Sequence, residues 1–162
     1  MLTKHLKQLT YSHKETQMKF WTGKTIKELQ PSQVFVFGSN PEGRHGLGAA
    51  KSAMKFGARY GKGRGLQGQT YALPTKNLKA GFYERVSGIT YPKAGKCSIS
   101  LEQIRVNIAE LYVCAKEHPD KQFIVVYQKN SNNLNGYSPN DIIKQFLSLE
   151  VPTNMYFHES FR

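Results

Sequence analysis

The chain has 162 residues, 39% hydrophobic, 12% aromatic and 21% charged, which suits one globular domain and argues against a disordered tail, a coiled coil or a second full domain. Its net charge of +12 belongs to the middle: residues 1–31 carry six Lys/Arg and two acids, residues 32–100 eleven and two, and residues 101–162 six and seven. No apolar run approaches the roughly 20 residues that span a bilayer, and the opening MLTKHLKQLTYSHK lacks the apolar stretch of a signal peptide, so a cytoplasmic protein with no membrane partner is expected.

Residues 1–31 read as a basic arm or edge decoration, with a weak helical signal from Thr25 to Leu29 that Pro31 stops, and residues 32–162 as the single domain. VFVF, Val34 to Phe37, is a short apolar run between Pro31 and Gly38 and predicts a strand buried on both faces. From Leu47 to about Arg59, Leu47, Ala50, Met54 and Ala58 recur at helical spacing beside a basic row of Lys51, Lys55 and Arg59, predicting a helix. GKGRGLQGQ, residues 61–69, is too rich in glycine for regular structure, and YALPT, residues 71–75, resumes as a brief strand that Pro74 ends or places at an edge. Residues 76–98 carry only loop signals.

Beyond Ser98 or Ser100, either of them a suitable N-cap, Leu101, Ile104, Ile108, Leu111, Tyr112 and Ala115 repeat with helical period. QFIVVY, residues 122–127, is a second buried strand; a polar loop KNSNNLNGY, a helix from about Pro139 to Leu147 and a last strand near Met155 to Phe157 follow. Strands that alternate with helices and lack polar alternation predict an α/β domain with a largely parallel central sheet.

In such a sheet, ligands bind beyond the carboxyl ends of the strands, where the strand-to-helix loops converge. Two loops qualify, residues 38–48 after VFVF and residues 129–137 after FIVVY. Twelve of the fourteen glycines lie between Gly38 and Gly95, so flexible backbone coincides with the positive charge and an anionic ligand is implied. The helix expected from Leu47 would direct its N-terminus at the same loop. Glycines at 43, 46 and 48 do not give GxGxxG, no acid stands about 20 residues on, and GxxxxGKS/T is absent, which disfavours Rossmann and P-loop sites.

Within the first loop, Ser39 and Asn40 either contact the ligand or cap the turn. Arg44 suits a phosphate. His45 either faces the ligand, as donor or general acid or base, or is a surface or capping residue. Lys62, Arg64 and Lys76, with Gln67, Gln69 and Tyr71, equally describe a single-stranded nucleic-acid groove or a solvated loop. Two Asp, Asp120 and Asp141, are too few for ordinary two-metal hydrolysis, and Cys97 and Cys114 match no metal-ligand spacing, so no metal and no cofactor are expected.

VFVFGSNPEGRHGLGAA followed by YGKGRGLQGQTYALPTKN resembles a family of small phage and bacterial proteins with the pattern FGSN-xx-GxHG-xGAA and LQGQ-x-YA-x-PTK, which looks like a divergent branch of the macrodomains. The likeness is dense over residues 34–77 and looser over 101–137. It implies a three-layer α/β/α fold and a site for ADP-ribose or a related nucleotide, with Gly38, Ser39, Asn40, Gly43, His45, Gly46 and Gly48 in the first ligand loop; Arg44, Gln67, Thr75 and Lys76 are further candidate contacts. The later loop would add Asn130, Ser131, Asn132, Gly136 and Tyr137, with Asn and Ser where relatives have glycines. Any turnover would be de-ADP-ribosylation or hydrolysis of an ADP-ribose phosphate, with Asn40 positioning the ribose and His45 or a water assisting; without turnover, the protein would sequester a nucleotide defence signal. The alternative is a nucleic-acid-binding protein that uses the basic middle segment.

Overall fold

Val34, Phe35, Val36 and Phe37 are each 3% exposed or less, which requires cover on both faces of the sheet that holds them. The computed structural model describes residues 18–129 and 135–162. Its elements in chain order are β1 (Lys19–Trp21), β2 (Gln33–Ser39), α1 (Gly48–Met54), β3 (Gly65–Gln67), β4 (Thr70–Pro74), β5 (Phe82–Glu84), β6 (Ile89–Tyr91), α2 (Leu101–Glu117), β7 (Gln122–Val125), α3 (Pro139–Leu147) and β8 (Met155–His158), then a 3₁₀ turn (Glu159–Phe161). Six strands form the central sheet in the order β1-β8-β7-β2-β4-β3, and β5 and β6 form a separate hairpin. Every pairing in the central sheet is parallel except that of β3 with β4.

Alternation along β2 divides the core. Val34 and Val36, with Leu73, Phe123, Val125 and Phe157, pack against Ile104, Ile108 and Leu111 of α2 and Ile142 and Phe146 of α3. Phe35 and Phe37, with Ala72, face Ala53 of α1 and Ala58. The result is a three-layer α/β/α domain with two helices on one face and a thin layer on the other. Ser100 caps α2, its hydroxyl accepting from the Gln103 amide at 3.1 Å, and Ser138 caps α3 in the same way through the Asp141 amide at 3.2 Å.

Five segments differ from the sequence expectation. Thr25 to Leu29, with their weak helical signal, form no helix. α1 ends at Met54 rather than near Arg59, because the Phe56 and Ala58 amides both turn back to the Ala53 carbonyl. Gly57, at φ +113°, then passes so close to Gly68 that a Cβ on it would lie 3.0 Å from the Gly68 Cα. Residues 65–67, expected to be irregular, form β3 by folding back on β4. The expected loop 76–98 contains the hairpin β5–β6. Finally, Lys19–Trp21, placed in the arm, form an edge strand of the central sheet, and the Trp21 indole donates to the Val125 carbonyl at 2.8 Å. Three-residue strands are too short to show a period, so only their partners define them.

Arg64 fastens the hairpin. Its guanidinium binds both Glu84 oxygens, at 3.1 and 2.9 Å, and also reaches Asn107 at 3.0 Å, Glu110 at 2.8 Å and the Tyr91 hydroxyl at 3.2 Å. Ser87 and Tyr91 donate to the same carboxylate at 2.5 and 2.8 Å. Burial works against the Glu84 anion, but the hydrogen bonds from Arg64, Ser87 and Tyr91 outweigh it and hold its pKa below the ordinary glutamate value of 4.5. Because the folded value is the lower one, the folded protein binds fewer protons here than the unfolded chain. The stabilisation is full above the unfolded value and is lost as pH falls through the folded one. Urea titrations from pH 7 downward are expected to show Glu84→Gln less acid-sensitive than the wild type below about pH 4.5 and parallel to it above; equal acid sensitivity would contradict this.

Candidate functional site

A cleft of about 280 Å³ opens where β2 and β4 end, a volume near the lower limit of small-molecule sites, which begin at roughly 300 Å³. Gly38, Ser39 and Asn40 from the end of β2 and Thr75 and Lys76 from the end of β4 form its floor. Arg44, Gly46, Leu47 and Ala50 line one side, and Tyr60, Leu78 and Asn135 complete the wall. Parallel pairing of β2 with β4 brings residues 38–40 and 75–76 to the same edge, and the Thr75 amide donates to the Ser39 carbonyl at 3.0 Å.

Backbone packing makes the wall rigid. Gly43 lies at φ +72°, and a Cβ there would sit 2.3 Å from the Lys62 nitrogen; one on Gly63 would sit 2.0 Å from the Asn40 carbonyl oxygen. Only glycine permits this approach of residues 40–43 to residues 61–63. The Gly61 amide donates to the Gly43 carbonyl at 2.8 Å, and the Ser39 hydroxyl donates to the Gly63 carbonyl. Asn40 closes the loop on itself: its Nδ2 donates to the Arg44 carbonyl at 3.1 Å and its Oδ1 accepts from the Arg44 amide at 2.9 Å. Asn40 and Ser39 therefore both line the cleft and cap its turn.

His45 is 3% exposed and does not line the cleft. Its Nε2 donates to the Lys62 carbonyl at 3.0 Å and its ring stands edge-on to Phe37 at 5.1 Å, while Nδ1 has no hydrogen-bond partner among the described residues. Gln67 serves the same carbonyl, donating from Nε2 at 2.9 Å and accepting the Arg59 amide at 2.7 Å. Both residues hold the loops against each other from behind. Gly48 opens α1 at φ +55°, and a Cβ on it or on Gly46 would meet nothing within 4 Å.

Of the later loop, Asn130, Ser131 and Asn132 lie outside the described residues. Gly136 sits at φ +90° against Lys96 and Cys97, where a Cβ would come within 2.6 Å of the Lys96 Cβ. The Tyr137 hydroxyl donates to the Ile99 carbonyl at 2.7 Å. Gly136 and Tyr137 thus anchor the end of this loop to the N-terminal side of α2, and among its described residues Asn135, not singled out from the sequence, lines the cleft. Leu47, Ala50, Tyr60 and Leu78 are the other lining residues that the sequence reading missed. Tyr60 carried one signal, an aromatic ring directly before the glycine run GKGRG.

Among the described residues, two side-chain cations line the cleft. The Arg44 side chain is 60% exposed and pairs with Glu42 at 3.4 Å, and Lys76 is half-buried with no ion pair among the described residues. Arg64 departs from the expected solvated or ligand-facing role: its side chain is 9% exposed and is consumed by Glu84 and Glu110. Burial disfavours its charge, but the bonds and negative charge of Glu84, with Glu110, more than offset this and raise its pKa. Lys51, Lys55 and Arg59 are exposed, but α1 ends at Met54, so the helical basic row expected of them does not form. Among the described residues no group of three His, Cys, Asp or Glu is placed to hold a metal ion, and no helix is long and apolar enough to cross a membrane.

Fold and site together define a three-layer α/β protein with a cationic, glycine-walled cleft at the carboxyl edge of a mostly parallel sheet. No protein-family model matches the chain, and no curated protein matches it. A solved structure of a protein of unknown function from Bacteroides thetaiotaomicron is similar, with 15% sequence identity and a TM-score of 0.49, over 87% of this chain and 98% of that one. At that level the likeness bears on neither the site nor its chemistry.

Proposed function

We propose that this protein is a macrodomain-like module that binds ADP-ribose or an ADP-ribose-derived nucleotide in the cleft between residues 38–48 and 75–78. The observation that carries the reading is that Arg44 and Lys76 line the same cleft as Gly38, Ser39 and Thr75, at the sheet edge where open α/β folds bind ligands. Two cations beside closely approachable backbone suit a diphosphate. No carboxylate lines the cleft among the described residues, and Glu42 is held by Arg44. We therefore assign binding, and with it sequestration of a nucleotide signal, ahead of ADP-ribosyl or ADP-ribose phosphate hydrolysis.

A second reading, a nucleic-acid-binding surface, draws on the positive charge of the middle segment, in which Lys51, Lys55 and Arg59 are exposed. Calorimetric titration separates the two. ADP-ribose is expected to bind at micromolar or tighter affinity with a shallow salt dependence. Gly46→Glu, which places a carboxylate in the cleft without a steric clash, is expected to weaken it by at least about tenfold, or about 1.4 kcal/mol. Asn40→Ala is expected to weaken binding as well, by releasing the Arg44 backbone. No heat from ADP-ribose, with single-stranded nucleic acid binding that falls steeply between low and physiological salt, would overturn the proposal in favour of the second reading.

A further inference from the structure

The polar groups of the cleft fall into two sets. The Asn40 amide and the Ser39 hydroxyl are spent on backbone partners, and Asn135 accepts the Tyr137 amide at 2.9 Å through Oδ1. Among the described residues, those left to face an occupant are chiefly Arg44, Lys76, the Thr75 hydroxyl and the Asn135 Nδ2, donors that match phosphate oxygens.

The mouth is different in kind. Tyr60 is 64% exposed, Leu47 77% and Leu78 41%, and all three line the cleft. The Tyr60 ring stands at 77° to the buried His45 ring, 6.5 Å away, and His45 is itself held by the Lys62 carbonyl and Phe37. An exposed aromatic ring backed by a pinned residue, in a cleft that two exposed leucines also line, is an apolar surface, and leaving it in water forgoes the stabilisation that covering it would give.

We infer that the base of the bound nucleotide stacks on Tyr60 at the mouth that Leu47 and Leu78 also line, and that the site consequently reads phosphate and the face of a base rather than its hydrogen-bonding edge. The ligand class is then nucleoside diphosphate riboses of either purine or pyrimidine. Stacking tolerates any base, because every base has a π face. His45 acquires a role from this arrangement: it positions the Tyr60 ring from inside the wall. The inference rests on the nucleotide reading of the cleft.

Calorimetry with ADP-ribose and with UDP-ribose, which differs only in its base, tests it on the wild type, Tyr60→Ala and Tyr60→Phe. The two ligands are expected to bind the wild type within about fivefold of each other. Tyr60→Ala is expected to weaken both by roughly 5- to 150-fold, and Tyr60→Phe to retain wild-type affinity, since the ring and not the hydroxyl carries the contact. Wild-type binding of ADP-ribose with UDP-ribose weaker by about fiftyfold or more, or with Tyr60→Ala unimpaired, would overturn this inference and leave the nucleotide site standing. Binding of neither ligand would overturn both.

Discussion

Replacing Arg64 with Ala is expected to destabilise the protein by about 3–5 kcal/mol, since it strands the Glu84 carboxylate inside the fold without its bidentate partner. For a chain of this size that loss lowers the melting temperature by about 6–20 °C. Both side chains are buried, 9% and 6% exposed, so solvent screening relieves little of it. The contact with Glu110, whose side chain is 50% exposed, adds little by comparison. The double variant Arg64→Met with Glu84→Gln is expected to cost less than Arg64→Ala alone, because it removes the stranded charge together with its partner. Chemical denaturation of the three proteins decides the matter; a single variant within about 1 kcal/mol of wild type would show that the hairpin β5–β6 does not depend on this pair.

Gly63→Ala is expected to be comparably damaging at the site itself. The added Cβ would lie 2.0 Å from the Asn40 carbonyl oxygen and 2.8 Å from that of Pro41, and neither backbone group can rotate away as a side-chain tip would. Separating residues 40–41 from residue 63 also breaks the Ser39 hydrogen bond to the Gly63 carbonyl. A cost of about 3 kcal/mol is expected, at the upper end of the usual range for overpacking, together with loss of ADP-ribose binding. Gly46→Ala is the control in the same loop: its Cβ meets nothing within 4 Å, so its stability is expected to stay within about 0.5 kcal/mol of wild type. Equal stability of Gly63→Ala and wild type would show that the loops move apart without penalty.

The contrast between Gly63 and Gly46 shows where sequence reading ended. β2 was legible because four consecutive apolar residues leave no exposed face, and α2 because six apolar positions keep one period over 15 residues. β1 and β3 were not, since three residues fit any pattern and only β8 and β4 define them. The first cleft loop was legible from its glycines and cations. Which glycines pack and which open onto a ligand was not, because that depends on residues 61–63 arriving from another loop. His45 was read as facing a ligand or lying near the surface. It turns inward because the Lys62 carbonyl, 17 residues away, offers it a partner. Leu78 and Asn135 reach the cleft through tertiary approach alone, which no spacing in the chain announces, and Tyr60 is marked only by its place before the glycine run.

The cleft between β2 and β4 is most directly tested by the amide resonances of ¹⁵N-labelled protein titrated with ADP-ribose. Shifts are predicted at residues 38–40, 44–47, 60 and 75–78, with the amides of Lys51, Lys55 and Arg59 little changed. Shifts confined to those exposed basic residues, or none at saturating ligand, would contradict a nucleotide site at the carboxyl edge of the sheet.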